Sequence, residues 1–289
     1  MSDAAVPRNW RKGVRTVETL ALNIGLLVLA AAALTPFAWL ICATLKRGED
    51  LFRYTFLPWD DLNRLTLANF HTLFDQQPFF RWMLNSIFLA SAQTVVVVTL
   101  SSLGGFALAK YRFRGRGVLM MLMLATMMLP GVVMLPGSYL LVYAIGWMNS
   151  YAAIIIPGAV SVFGMFLFMQ AMRGVPDELL QAGRIDGCSE LRLWWDVALP
   201  IVRPMTGAFT LLTFLGTWNA FLWPQVVLQS EEKYTLPIGL ANMMALPEYR
   251  TEYGVLMAGT LLAVVPVMIL FLALQRDFVS GLSAGAVKG

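Results

Sequence analysis

The side chains able to do chemistry in this 289-residue chain are few, and their spacing excludes most chemistries. The single histidine, His71, has no Cys or His neighbour, so no metal site is spelled out. No hydrolytic triad is evident, and no phosphate-cradling G-x-x-x-x-G-K-[ST] occurs, so the chain has no such means of binding ATP. What remains is of two kinds. The segment Asp177–Pro200, "DELLQAGRIDGCSELRLWWDVALP", gathers seven charged residues in a chain only 13% charged. Elsewhere, inside long uncharged runs, stand the neutral polar residues Asn85, Ser86, Gln93, Ser101, Ser102, Thr217 and Asn219, with Trp218 and Trp223 nearby. Amides and aromatic faces suit a neutral, hydroxylated solute; the same groups also bond neighbouring helices.

The elements that must position these residues are apolar. Five uncharged runs stand out: Thr19–Leu45, Trp82–Ala109, Gly117–Met172, Pro204–Ser230 and Tyr253–Gln275. About 20 apolar residues cross a bilayer as a helix. Four runs hold one span each, and Gly117–Met172 holds two, joined by a turn at Gly146, Asn149 and Ser150 between Trp147 and Tyr151. The expected spans are 20–43, 82–109, 117–143, 151–172, 205–228 and 254–275. The fold expected is therefore all-α and polytopic, with six transmembrane helices in a single domain, 1–289. The number of such runs argues against a soluble all-α core.

Lys and Arg set the orientation. With the N-terminus inside, 14 of the 21 basic residues fall on inner segments, while acids are nearly even. Both termini are then expected in the cytoplasm, and the net charge of +4 needs no nucleic acid to explain it. The cluster "KYRFRGR", Lys110–Arg116, reads as a topology anchor facing membrane lipid headgroups. The first span is too long for a signal core and lacks an A-x-A cleavage site, so it reads as retained. Cys42 and Cys188 fall near opposite membrane faces, so no disulfide is expected. The aromatic residues and Pro58 of the first outer loop suggest a folded, interface-lying segment. Pro and Gly interrupt several spans, and "MLPGVVMLPG", Met128–Gly137, is the strongest candidate for a break with a function. No interior of an expected span carries an ionisable residue, unlike the relays of proton-coupled carriers.

The charged segment, lying in the inner loop 173–204, reads as a helix–turn–helix. Pro176 suits a helix start, with Asp177 and Glu178 near its positive end. Leu179, Leu180, Ala182 and Ile185 form an apolar face, Gly187 permits the turn, and Ser189 caps a second helix. That helix offers Leu191, Trp194, Trp195 and Ala198 on one side. Such a hairpin needs either a partner surface or its own bundle to lie on.

The stretch "VPDELLQAGRIDGCSELRLWWDVALPIVRP" resembles the EAA loop of permease subunits in binding-protein-dependent ABC importers, of the carbohydrate-uptake branch. Pro176, Glu178, Leu179, Ala182, Asp186, Gly187, Leu199 and Pro200 match P-x-E-L-x-E-A-A-x-x-D-G-A…L-P. Gln181, Gly183 and Cys188 stand where the family has Glu, Ala and Ala. "LNSIFLA", "TWNAFLWP" and "TLPIGL" are similar to further family segments. "LQRDFVSGLSAGAVKG" resembles the end of the smaller of two paired sugar permeases, so the likeness spans nearly the whole chain.

The resemblance implies a multi-pass protein of the bacterial cytoplasmic (inner) membrane. It implies a second homologous permease as heterodimer partner, two ATPase subunits and an extracytoplasmic solute-binding protein. ATP and Mg would sit on the ATPase, and this chain would bind no cofactor and catalyse nothing. Glu178, Gln181, Ala182, Gly183, Asp186, Gly187, Cys188, Pro200 and Lys288 would form the ATPase-coupling site, with Gly187 giving a turn and close approach, and Asp186 a buttress. Gln181 loses the charge that the family's Glu brings to a charge-assisted contact. Asn85, Gln93, Trp218, Asn219 and Trp223 are the expected substrate pathway. The alternative from another class is an ATP-independent secondary carrier for a neutral solute; a third is a membrane scaffold.

Overall fold

Long apolar runs fold as helices, because each backbone bond is then satisfied within its own segment. The computed structural model describes residues 8–245 and 252–286, and no β-strand occurs among them. The chain divides into two units, the first running to Leu73 and including Glu252–Leu261, the second holding the rest.

In the first unit, α1 (Arg8–Thr44) is 37 residues long and carries Pro36 within it. The chain then folds on itself around Lys46, which is fully buried. Its ammonium donates to the carbonyl of Tyr54 at 2.6 Å, and more weakly to those of Leu51 and Thr55. Burial pushes its pKa below the usual lysine value, while Cys42 and Asp50 push the other way. Buried Asp50 faces the Arg64 guanidinium at 3.0 Å. Asn69, on α2 (Ala68–Gln76), donates to the carbonyls of Thr44 and Lys46, both at 2.8 Å. The outer segment is folded, as its composition suggests.

The second unit is built on α3 (Phe79–Lys110), 32 residues long. Its inner half packs closely on α7 (Val162–Met172): a Cβ at Gly105 would strike the Cβ of Phe168 and lie 2.8 Å from the Met169 backbone nitrogen. Small residues at such a crossing let two backbones approach and gain dispersion contacts where no hydrophobic drive exists in lipid. Between them lie α4 (Arg116–Thr126), α5 (Gly131–Ala144) and the four-residue α6 (Ala152–Ile155). After α7 come α8 (Asp177–Ile185), α9 (Glu190–Arg192), a π-helical turn (Leu193–Ala198) and α10 (Leu199–Ile201). The last three run on as one rod, Glu190–Ile201. Then follow α11 (Arg203–Trp218), α12 (Leu222–Val227), α13 (Leu236–Ala245) and α14 (Tyr253–Ala286), which starts in the first unit and continues in the second.

Among the described residues, three helices are long and apolar enough to cross a bilayer alone: Glu18–Thr44, Phe79–Lys110 and Tyr253–Asp277. The other three expected spans are interrupted. The span 117–143 is two helices bent by 99°, with α4 ending at Thr126 and Pro130, which has no N–H to continue a helix, standing just before α5. Only the first Pro-Gly pair of Met128–Gly137 breaks the chain; Pro136 lies inside α5. The span 151–172 is cut at Pro157–Gly158, and the eleven residues of α7 reach about 16 Å, half the hydrocarbon core. The span 205–228 stops at Trp218 and resumes as α12. The expected turn forms with Gly146 at φ +71° and Asn149 at φ +56°. Asn149 Oδ1 accepts from the backbone of Gln229 and Ser230, and its carbonyl accepts from Lys233 at 2.6 Å.

Candidate coupling hairpin and membrane-interior cleft

The inner hairpin follows from local rules. Pro176 precedes α8, whose first turn carries Asp177 and Glu178. The helix ends in a complete Schellman turn: Cys188 N–H bonds the Gly183 carbonyl at 2.9 Å, and Gly187 N–H bonds that of Arg184 at 3.1 Å. The residue between must be left-handed, and Gly187 has φ +82°. No atom lies within 4 Å of where its Cβ would stand, so the space beside it is open. Ser189 Oγ accepts from Arg192 N–H and starts the second helix. Pro200 supplies no N–H to Asp196, and the preceding turn widens to a π turn, with Leu199 N–H reaching Trp194.

The hairpin's two apolar faces are each split. Leu180, Leu193, Trp194 and Ala198 are buried in one cluster with Phe106, Phe168, Met172 and Phe209, the inner ends of α3, α7 and α11. Leu179, Ala182 and Ile185, with Glu178 and Gln181 beside them, are exposed on the other side of α8. Ile185 is 87% exposed. Leu191 and Trp195 are exposed on the second helix. Gly183 faces inward, where a Cβ would meet the methyl of buried Leu193, which gives a packing reason for Gly where the resembled family has Ala. Half-buried Cys188 packs on the same cluster. Asp186 caps α8 through its backbone, and its carboxylate has no hydrogen-bond partner among the described residues. Exposed Pro200 lines a groove with Trp195, Arg203 and Asp277. Lys288 lies outside the described residues.

Charge ties the hairpin together. Arg184 donates twice to Glu190, at 2.7 and 3.1 Å, and Tyr111 donates its hydroxyl to the same carboxylate. Those donors, Arg184 first, hold the Glu190 carboxyl below the usual carboxylate range. Burial, then the Glu190 contact, raises the Tyr111 phenol. Lys110 bonds Asp177 at 2.6 Å and holds its carboxyl down likewise. The basic cluster 110–116 thus divides: Arg112 and Arg114 are exposed, as an anchor requires, but Lys110 and Tyr111 face the hairpin.

Within the expected membrane region, the breaks open a cleft of about 300 Å³ between α3, α7 and α11. Gln93, Gly158, Ser161, Phe209, Thr213 and Thr217 line it. Gln93 is buried, and its Oε1 has no hydrogen-bond partner among the described residues. Ser161 caps α7 through the Gly164 N–H. Of the other residues expected along a pathway, Asn85 spends both amide hydrogens on the carbonyls of Glu232 and Tyr234, each at 2.9 Å. Trp223 donates to the Ala153 carbonyl, Asn219 to that of Leu215, and Trp218 is buried and stacked on Phe214. Sequence reading overlooked Ser161 and Thr213; Ser161, three residues past a Pro-Gly pair, carried the cap signal.

Against this geometry, residues 101–283 match the family described as the binding-protein-dependent transport system inner membrane component. The chain belongs to that family. Over 269 residues it is 37% identical to the arabinooligosaccharides transport system permease protein AraQ of Halalkalibacterium halodurans, covering 93% of this chain and 96% of that protein. It is 32% identical to the sn-glycerol-3-phosphate transport system permease protein UgpE of Salmonella typhi, covering 94% and 97%. A chain of a bacterial ABC transporter involved in the import of alginate shares the fold, with a TM-score of 0.79 at 23% identity, covering 96% of this chain and all of that one. The protein is therefore a multi-pass permease component of the inner membrane. Its family relies on partner subunits for catalysis.

Proposed function

We propose that this permease is one of two homologous subunits of an ATP-driven importer for a neutral oligosaccharide, and that α8 docks on a cytoplasmic ATPase. The carrying observation is the exposed stripe Leu179–Ala182–Ile185, flanked by Glu178 and Gln181, on a helix whose other side is buried. A helix held this firmly with an apolar side left open suits a groove in a second protein. Open space at Gly187 suits close approach there. Two ATPase subunits, with ATP and Mg on them, and an extracytoplasmic solute-binding protein complete the assembly.

The cleft argues for the substrate class. Among apolar side chains it offers an amide, hydroxyls and the rings of Phe163 and Phe209, with no charge, which fits a sugar better than a phosphate ester. The named substrates of the relatives span arabinooligosaccharides and sn-glycerol-3-phosphate. Reconstitution of the complete system in liposomes, with labelled arabino-oligosaccharide and glycerol-3-phosphate offered in turn, tests the reading. ATP-dependent uptake of the sugar is expected. Uptake that persists without the ATPase subunits identifies a secondary carrier instead, and no uptake in the complete system identifies a scaffold.

A further inference from the structure

Lys110 is the last residue of α3, and its side chain is only 6% exposed. Its ammonium donates to the Val175 carbonyl at 2.5 Å and to Asp177 at 2.6 Å, at the entry to α8. The next residue, Tyr111, donates to Glu190, the first residue of α9, while its ring lies edge-on to Phe106 of α3. Arg184 closes the ring from the last turn of α8. The hairpin is thus fastened to the end of one helix at both of its arms. Charge-assisted bonds of this kind are roughly twice as strong as neutral ones and are directional. The apolar packing of Leu180 and Leu193 seats the hairpin on the inner helix ends, and the charged links add directional contacts at its two arms.

The helix so fastened reaches the other functional features. At about 1.5 Å per residue α3 is about 48 Å long, and no proline interrupts it. It carries Gln93 on the cleft wall. Near its outer end Asn85 holds the carbonyls of Glu232 and Tyr234, and Arg81 pairs with Glu232 at 3.5 Å.

We propose that Lys110 and Tyr111 are positioning residues that make the hairpin and α3 move as one body, delivering a displacement of α8 to the Gln93 wall of the cleft. This rests on the docking reading above and names the element that carries the motion. The lowered carboxyls of Asp177 and Glu190 keep both links charged at neutral pH.

Uptake and ATP hydrolysis measured together in the reconstituted importer test it. In the double variant Lys110→Met/Tyr111→Phe the ATPase subunits are expected to co-purify at the parental ratio and to hydrolyse ATP. Solute moved per ATP is expected to fall at least tenfold. Lys110→Asp should uncouple likewise, and adding Asp177→Lys should recover at least threefold by restoring the pair. An unchanged ratio in the double variant, or a charge swap no better than Lys110→Asp, overturns the tether alone. A parental chain that fails to retain the ATPase overturns the docking reading, and the tether with it.

Discussion

Two charged excursions leave this apolar chain, and they use charge in opposite ways. Around Lys46 the polar groups turn inward: the ammonium meets carbonyls, Asp50 meets Arg64, and Asn69 closes the loop. In the inner hairpin the charges stay on the rim, with Asp177 70% and Glu190 48% exposed, and the surface left open beside them is apolar. Buried polar groups must be matched internally or they cost stability. Rim charges are screened by water and contribute little to stability, but they orient. The outer segment is accordingly a finished structure, and the hairpin is a stiff holder for a surface completed by another protein.

The contrast can be broken first at Lys46. Lys46→Met leaves the Tyr54 carbonyl without its buried donor, and should cost the outer segment about 2 kcal/mol. Thermal unfolding of the purified protein and proteolysis near residues 46–66 measure it; an unchanged melting profile would mean that the charge is not structural. Ile185→Asp should do the reverse, changing stability by less than about 0.5 kcal/mol while ATPase retention on purification falls at least tenfold. Gly187→Ala places a Cβ at φ +82° and should cost about 1 kcal/mol locally. Gly187→Asn tolerates that φ better, so it separates backbone shape from approach: equal loss of ATPase retention by both variants would indicate that a partner fills the open space.

The smallest effect is the pH dependence of the rim. The Asp177 and Glu190 carboxyls lie below their ordinary range, so their contribution is fully present above the unfolded carboxylate pKa of about 4. It is lost as pH falls through the still lower folded values. Fluorescence of the buried Trp194 should therefore stay constant from about pH 8 to 5 and change only below about pH 4. A transition near neutrality would contradict these links.

Much of this architecture can be read from residue order, and the limits of that reading have a physical cause. Run lengths mark the three uninterrupted long helices, Gly187 the hairpin turn and Ser189 the second helix start, because these are local matters of hydration, φ and capping. The breaks are not local. Pro36, Pro136 and Pro266 sit inside helices, whereas Pro130 and Pro157 stand at breaks, and residue type alone does not separate the two kinds. Lys110 near a span end reads as a headgroup anchor, since its acceptors at Val175 and Asp177 are far off in sequence. Asn85 and Trp223 likewise find their partners far off in sequence, in the carbonyls of Glu232, Tyr234 and Ala153.

The docking of α8 on an ATPase is tested most directly by amide hydrogen exchange of the permease pair with and without the ATPase subunits. New protection confined to residues 178–188 on the inner side is expected, with exchange around Lys46 unchanged. Equal exchange of 178–188 in both samples, in a complex shown to be assembled, would contradict it.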